Sequence, residues 1–121
     1  MLIQKDKPFY SVVQVAEILG ISSDRLRTYD EEYLVVPARE PNNKKRLYSE
    51  LDIEWLQSLR KLISKNKLNI FSFKIILKML YLLPDKEFEN LIKNGESNEI
   101  WNIIADMKSN PNYEKLRAMY N

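Results

Sequence analysis

Residues 11–30, SVVQVAEILGISSDRLRTYD, have the pattern of two short amphipathic helices separated by a tight turn. Ser11 and Gln14 have the spacing of a capping box, which predicts a helix start, and apolar residues follow at helical spacing. Gly20 is typical of the residue just beyond a helix end, and Ser22 is a suitable cap for a second helix. The stretch therefore predicts two consecutive helices joined by a turn of a few residues.

The spacing within this pair fits a helix-turn-helix. Ala16 is small where the second helix must cross the first, Gly20 permits a left-handed turn, and Leu26 is placed as a buried aliphatic residue. Each requirement is steric. A generic helical hairpin is the alternative that the spacing alone leaves open.

The next segment, residues 35–48, predicts a β-hairpin. We expect strands at Val35-Val36 and Leu47-Tyr48, with Pro41-Asn42-Asn43 as the turn and Lys44-Lys45-Arg46 at or beside the tip. A basic hairpin placed directly after a helix-turn-helix is the arrangement of a winged helix.

Further helices are predicted downstream of the hairpin. Ser49 is expected to cap a third helix, and a polar, basic break at residues 64–69 separates it from a fourth helix over Phe71–Leu83. The fourth helix is apolar nearly all round except for lysines, so we expect it to be buried or to pack against a partner. Beyond Pro84 three shorter helices are predicted, at Lys86–Asn94 closed by Gly95, at Glu99–Lys108 and at Tyr113–Tyr120. The predicted fold is mainly α: a winged helix-turn-helix over residues 1–83 with a helical tail over residues 84–121.

The composition excludes most enzyme chemistries. The chain has 121 residues with 45% hydrophobic and 30% charged residues, which are values of a globular domain. It contains no cysteine and no histidine, so thiol catalysis, a Ser-His triad and the commonest metal ligands are excluded. Two glycines are too few for a phosphate-binding glycine loop. We therefore expect no enzyme activity, no metal and no cofactor, and a cytoplasmic protein.

The charge is unevenly distributed along the chain. Residues 1–83 carry a net charge of +4 and residues 84–121 a net charge of −2, although the whole chain carries only +2. Such a bias is compatible with an ordinary solvated surface, and it also favours a polyanionic partner for the first segment.

The second helix supplies the first set of candidate DNA contacts. Its polar residues are Ser23, Asp24, Arg25, Arg27 and Thr28. Arginines near the start of a recognition helix are the usual readers of guanine in the major groove. The two arginines are also placed to form surface ion pairs with nearby carboxylates, and both interpretations stay open here.

The other candidate contacts flank this helix. Tyr29 is ambiguous, because its ring suits a core and its hydroxyl suits a phosphate. Lys44, Lys45 and Arg46 on the wing would lie along a phosphate backbone or enter the minor groove.

The order of these residues resembles the DNA-binding domain of the MerR family of bacterial regulators. The resemblance covers about 70 of the 121 residues, and its last matched segment is Asp52-Ile53-Glu54-Trp55-Leu56. The matching segments before it are Val12-Val13-Gln14-Val15-Ala16, Gly20-Ile21-Ser22, Leu26-Arg27-Thr28-Tyr29-Asp30, Leu34, Pro37-Ala38-Arg39 and Arg46-Leu47-Tyr48-Ser49. The departures are Arg25 for the usual threonine, Thr28 for a common tyrosine, Tyr33 for the usual glycine, and Asn66-Lys67 in place of a glycine-containing link.

The resemblance implies a homodimer on an inverted repeat near a promoter, with RNA polymerase as a further partner. It implies a recognition helix over residues 22–32 and a wing over residues 38–48. The tail is short and interrupted, so we expect neither an effector domain nor the long coiled coil of most members.

We accordingly predict a sequence-specific binder of double-stranded DNA, with no membrane partner. The candidate DNA-binding residues are Ser23, Arg25, Arg27, Thr28, Tyr29, Arg39, Lys44, Lys45, Arg46 and Tyr48. Two alternatives remain: an excisionase-like or chromosome-organising architectural protein, and a helical protein-interaction adaptor.

Overall fold

The predicted fold class is confirmed by the computed structural model, which describes residues 4–94 and 99–120. Within these ranges the chain forms seven α-helices and one two-stranded antiparallel sheet. Two compact units are distinguished, one up to Gln57 and one from Ser58 onward. The predicted division into a DNA-binding segment, residues 1–83, and a tail concerns which residues bind DNA, and it stays a prediction.

The first two helices form as the sequence predicts. Helix α1, Val12–Leu19, begins with a reciprocal capping box: the Gln14 amide donates to Ser11 Oγ at 3.2 Å, and the Ser11 amide donates to Gln14 Oε1 at 2.9 Å. It ends at Gly20, which has a φ of 69°. A Cβ at that position would meet nothing within 4 Å, so the glycine is favoured by its left-handed backbone and not by a close approach. Helix α2, Ser23–Glu31, is capped by Ser22.

The strand positions of the hairpin differ from the prediction. Strands β1, Ala38–Arg39, and β2, Arg46–Leu47, pair with Ala38 opposite Leu47. The predicted first strand, Val35-Val36, is not part of the sheet, because Val35 is buried in the core and Val36 precedes a proline. The backbone of Tyr48 instead pairs with that of Tyr10, with both N–H to O distances at 2.8 Å.

The core of the first unit lies between α1, α2 and the start of helix α3, Glu50–Arg60. Ser49 caps α3 as predicted, since its hydroxyl accepts from the Asp52 amide at 3.0 Å and the Ser49 amide donates to Asp52 Oδ2 at 2.9 Å. The Trp55 indole N–H donates to the Leu34 carbonyl at 2.6 Å, which fixes the chain leaving α2. The buried hydrophobic side chains of this unit are Val15, Ala16, Leu26, Tyr29, Leu34, Val35, Tyr48, Ile53, Trp55 and Leu56.

The second unit is helical throughout its described residues. Helix α3 continues into a π-helical turn, Lys61–Lys65, and a loop then leads to the later helices. These are α4 (Ile70–Tyr81), α5 (Asp85–Asn94), α6 (Glu99–Lys108) and α7 (Pro111–Tyr120). All four lie within two residues of the predicted bounds, and the predicted glycine closing the fifth helix, Gly95, lies outside the described residues. In residues 4–94 and 99–120, no helix is long and apolar enough to cross a bilayer.

Among residues 4–94 and 99–120, three residues other than glycine adopt a left-handed backbone. They are Tyr33, Lys44 and Lys67, with φ values of 59°, 60° and 62°. Tyr33 and Lys67 stand at the two positions where the resemblance leads us to expect glycine. At these two positions the backbone therefore adopts a conformation that costs glycine less conformational free energy than it costs Tyr or Lys.

Candidate nucleic-acid interface

The exposed face of α2 carries one arginine that is free to bind a ligand. Arg25 lies in the first turns of the helix, and its backbone amide donates to the capping Ser22 hydroxyl at 3.1 Å. Its side chain is exposed and has no ion pair or hydrogen bond with another residue of the described ranges. Ser23, two residues earlier on the same helix, is partly exposed. The start of α2 therefore presents a guanidinium group to solvent.

Arg27 and Thr28 are exposed but already engaged. Arg27 Nη1 donates to Asp24 Oδ1 at 2.9 Å, an ion pair between neighbouring turns of α2. Thr28 Oγ1 donates to the Asp24 carbonyl at 3.0 Å. The ion-pair interpretation left open for the two arginines thus describes Arg27 and not Arg25. The pair is solvent-exposed, so its free energy is small and a phosphate or a base can replace Asp24 as the partner.

Two lysines stand on the turn of the wing. Lys44 and Lys45 are exposed, and the left-handed backbone of Lys44 makes the turn. The turn is fixed by its own backbone, because the Glu40 amide donates to the Lys45 carbonyl at 2.9 Å and the Lys45 amide donates to Asn43 Oδ1 at 3.0 Å. The lysine side chains make no ion pair within the described residues.

The two arginines of the wing strands are held by one carboxylate of α2. Asp30 Oδ2 accepts a hydrogen bond from Nη2 of Arg39 at 2.5 Å and a second, shorter one from Nε of Arg46. Arg46 also lies 3.9 Å from a Glu31 carboxylate oxygen. The hydrogen bond to Asp30 raises the pKa of the Arg46 guanidinium. These two candidates therefore connect the hairpin to α2, and Arg46 is largely buried while it does so.

The two candidate tyrosines are core residues in this structure, which departs from the expectation that they contact DNA. Tyr29 is 1% exposed and Tyr48 is 0% exposed. The Tyr48 hydroxyl has no hydrogen-bond partner among the described residues. Burial raises the pKa of this hydroxyl. Because neither ring reaches the surface, neither is placed to donate to a phosphate in this conformation.

A cationic cleft lies between the start of α1, helix α2 and the hairpin. It is lined by Ser11, Val12, Val13, Arg27, Lys44, Lys45 and Arg46. Ser11 is the cap of α1, so the amino-terminal end of that helix borders the cleft, where the helix dipole favours a negative charge. Four cationic side chains at one cleft, together with this helix end, give it the chemistry of a site for phosphate groups.

The comparison with protein families identifies the family in which this arrangement occurs. The profile of the MerR HTH family of regulatory proteins matches residues 10–80. The chain belongs to this family. Membership places it among DNA-binding transcription regulators and not among enzymes, and its macromolecular partner is double-stranded DNA. A search of curated proteins found no match.

The MerR-type domain also uses residues that the sequence did not single out. Asp30 is one of them, and its carboxylate pairs with both wing arginines, Arg39 and Arg46. The signal available in the sequence was that Asp30, directly after Tyr29, lies in a segment that matches the family pattern. The contribution of Ser11 and Val13 to the cleft had no signal in the sequence, since it depends on how α1 lies against the wing.

The described residues offer no metal centre. No group of three or more His, Cys, Asp or Glu side chains within residues 4–94 and 99–120 is close enough to hold an ion. The chemistry of the site is that of charge and hydrogen bonding to a polyanion.

Proposed function

We propose that this MerR-type protein binds an inverted repeat in double-stranded DNA near a promoter and regulates transcription from it. Helix α2 enters the major groove, and the wing follows the adjacent phosphate backbone. RNA polymerase is the further partner in this proposal, and the protein acts at the nucleoid in the cytoplasm.

The observation that carries the proposal is the placement of the uncommitted cations. Arg25 on α2 and Lys44 and Lys45 on the wing are exposed, and no carboxylate of the described residues neutralises their side chains. A guanidinium group near the start of a recognition helix suits the O6 and N7 atoms of guanine, whereas lysine ammonium groups suit phosphates as point charges. The surface thus divides into a base-reading part and a phosphate-binding part.

The paired arginines have a different role in this proposal. Arg39 and Arg46 hold the wing strands at the carboxylate of Asp30, so that Lys44 and Lys45 stand at a fixed distance from α2. Positioning of this kind matters because phosphate contacts determine the register in which the base-reading side chains meet the groove.

Two copies are required for a specific site. One recognition helix with one wing spans only a short half-site, and specific affinity in such proteins usually comes from two half-sites related by the symmetry of the protein. The proposal therefore includes a homodimer.

Selection of bound sites from a random pool of duplexes tests the proposal. We expect the selected sequences to share an inverted repeat with guanine at a position that Arg25→Ala no longer selects. A pool that is bound without any sequence preference would contradict regulation at a specific site and favour an architectural role. Absence of binding to every duplex at low salt would contradict DNA binding by this surface.

A further inference from the structure

Helix α4 carries an exposed apolar face in addition to its buried one. Its inner face is buried through Phe73, Leu77 and Leu80. Its outer face, together with the two residues that follow the helix, is exposed by between 37% and 76% of each side chain. The residues of this outer stripe are Phe71, Ile75, Met79, Leu82 and Leu83.

The outer stripe is continuous along the helix. Its first four members follow one another at intervals of four, four and three residues, which is the spacing of a single helix face. Over this length the stripe extends for about 16 Å, at ~1.5 Å per residue, or about three helical turns. A contiguous exposed apolar surface of this kind is typical of a protein interface, whereas scattered exposed apolar residues are not.

One edge of the outer stripe is cationic. Lys78 lies on α4 three residues after Ile75, so it stands beside the stripe on the helix surface. Its side chain is exposed and forms no ion pair or hydrogen bond with another residue of the ranges 4–94 and 99–120. Lys74, one turn earlier along the same edge, is half-exposed. The opposite edge carries Ser72 and Ile76, and the sequence of α4 contains no carboxylate.

From this pattern we infer that the outer stripe binds an amphipathic helix of another protein, whose apolar face is bordered on one side by carboxylates. The apolar side chains of that helix pack against Ile75 and Met79, and carboxylates one turn apart meet Lys74 and Lys78. Complementary charges along one edge determine the orientation of such a contact and disfavour partners of the wrong sign.

A second copy of this chain fits the outer stripe less well. Two copies related by a two-fold axis use the same surface on both sides of the contact. Because Lys78 lies near the middle of the stripe, such an axis brings the two Lys78 side chains together, and α4 has no carboxylate to compensate them. Like charges that face each other across a contact are unfavourable.

An anionic membrane surface also fits the outer stripe less well. A helix that lies in a membrane interface has a charged face opposite its apolar face. The face of α4 opposite the stripe is instead apolar and buried within the protein, and the lysines of α4 are confined to one edge. A single cationic edge matches a helix that carries its own charges along one edge.

The inference goes beyond the proposed function and does not rest on DNA binding. The outer stripe belongs to the second unit, from Ser58 onward, whereas every candidate DNA contact lies in the first unit. A contact of this kind connects a DNA-bound regulator to a second protein. The two activities can therefore be measured separately on the full chain.

Fluorescence anisotropy of a designed peptide, titrated with the full chain, tests the contact. The probe is a labelled, helix-stabilised peptide of about 15 residues, with leucines along one face and glutamates along one edge of that face. The control peptide has lysine in place of each glutamate. We expect the acidic peptide to bind about tenfold more tightly than the control peptide, or better.

Two variants of the stripe and its edge have matched controls. Met79→Asp should weaken binding of the acidic peptide by about tenfold or more, because it places a carboxylate among apolar side chains. Met119→Asp is its control: Met119 is 51% exposed on α7, against 62% for Met79. Lys78→Glu should weaken binding of the acidic peptide by about threefold to tenfold and strengthen binding of the control peptide. Lys115→Glu, at an exposed lysine of α7, should do neither.

Thermal unfolding of each variant verifies that the fold is retained, and the binding results then decide. Equal binding of the two peptides, or an equal loss in Met79→Asp and Met119→Asp, overturns the inference. Sedimentation velocity that shows a wild-type dimer lost in Met79→Asp, without peptide binding, assigns the stripe to a second copy and also overturns it. Binding to vesicles of equal parts phosphatidylcholine and phosphatidylserine that Met79→Asp abolishes, without peptide binding, does the same in favour of a membrane.

Duplex binding by the same protein separates this inference from the proposed function. A chain that binds no peptide but binds random-sequence duplex in a salt-dependent manner overturns the contact and leaves DNA binding intact. A chain that binds the acidic peptide through Met79 and Lys78 but binds no duplex at low salt supports the contact and contradicts the proposed function.

Discussion

Arg39 on strand β1 donates a hydrogen bond of 2.5 Å to the carboxylate of Asp30, near the end of α2. The same oxygen accepts from Arg46 on the second strand, so one carboxylate holds both strands of the wing. Asp30 is only 12% exposed and Arg46 is 18% exposed, which makes these charge-assisted hydrogen bonds stronger than surface ion pairs. The position of the wing relative to α2 therefore depends strongly on a residue that does not need to touch DNA.

The first prediction concerns this carboxylate. Asp30→Asn keeps the size of the side chain but removes the charge that both arginines use, and we expect a loss of about 1–3 kcal/mol in the free energy of unfolding. The ratio of affinities for a selected site and a scrambled duplex should fall as the wing loses its position. Affinity for the scrambled duplex should persist or rise, because a negative charge is lost and two arginines are released.

The control for this change is Glu17→Gln, which removes an exposed carboxylate from α1. It should leave both the stability and the affinity ratio nearly unchanged. An Asp30→Asn protein that keeps its wild-type affinity ratio would contradict the positioning role of Asp30.

The second prediction separates the two arginines of α2. Arg25 is free and Arg27 is paired with Asp24, so Arg25→Ala should cost about 1–3 kcal/mol of discrimination between specific and scrambled duplexes. Arg27→Ala should cost less discrimination, because Arg27 must first leave Asp24. Matched titrations of both duplexes with each variant measure the difference. Equal affinity losses on both duplexes with Arg25→Ala would identify Arg25 as a phosphate contact and not as a base contact.

The sequence predicted the helices well because their signals are local. The capping residues Ser11, Ser22 and Ser49, the turn at Gly20 and the apolar spacing all act within a few residues, and each is confirmed. The strand positions of the hairpin were predicted less well. Val35 has a side chain typical of a strand residue, but it is buried in the core and is not part of the sheet.

The sequence predicted which cationic residues belong to the candidate site, but not which of them form ion pairs. Which cation stays free depends on distances between α2 and the wing, and such distances have no local signature. The sequence therefore could not tell that Arg46 is held while Arg25 is exposed, or that the Tyr48 ring is fully buried.

The third prediction concerns the wing lysines. Lys44→Ala and Lys45→Ala should weaken binding to selected and scrambled duplexes about equally, because phosphates carry no sequence information. Each change should reduce the steepness of log K against log salt by about 0.9 for every phosphate contact that is lost. Titrations at several salt concentrations measure this slope. A lysine variant that changes the preferred sequence would show that the wing reads bases.

The fourth prediction concerns the buried Tyr48 hydroxyl. It has no partner among the described residues, so Tyr48→Phe should leave the protein equally stable at neutral pH or stabilise it by about 1 kcal/mol. DNA affinity should not change. Tyr81→Phe is the contrasting variant, because the Tyr81 hydroxyl donates to the Tyr113 carbonyl at 2.5 Å and its loss leaves that carbonyl without this donor.

The same tyrosine gives the stability a dependence on alkaline pH. Burial raises the pKa of Tyr48 in the folded protein above the value of about 10 for an exposed tyrosine, so the unfolded chain loses this proton first as the pH rises. The contribution to stability is fully present below pH ~10 and falls above it by about 1.4 kcal/mol per pH unit for each such group. Burial raises the pKa of Tyr81 in the same direction, so Tyr48→Phe should reduce the slope without abolishing it. Urea unfolding at neutral pH and at several alkaline pH values measures the slope, and an unchanged slope in Tyr48→Phe would contradict the burial of this hydroxyl.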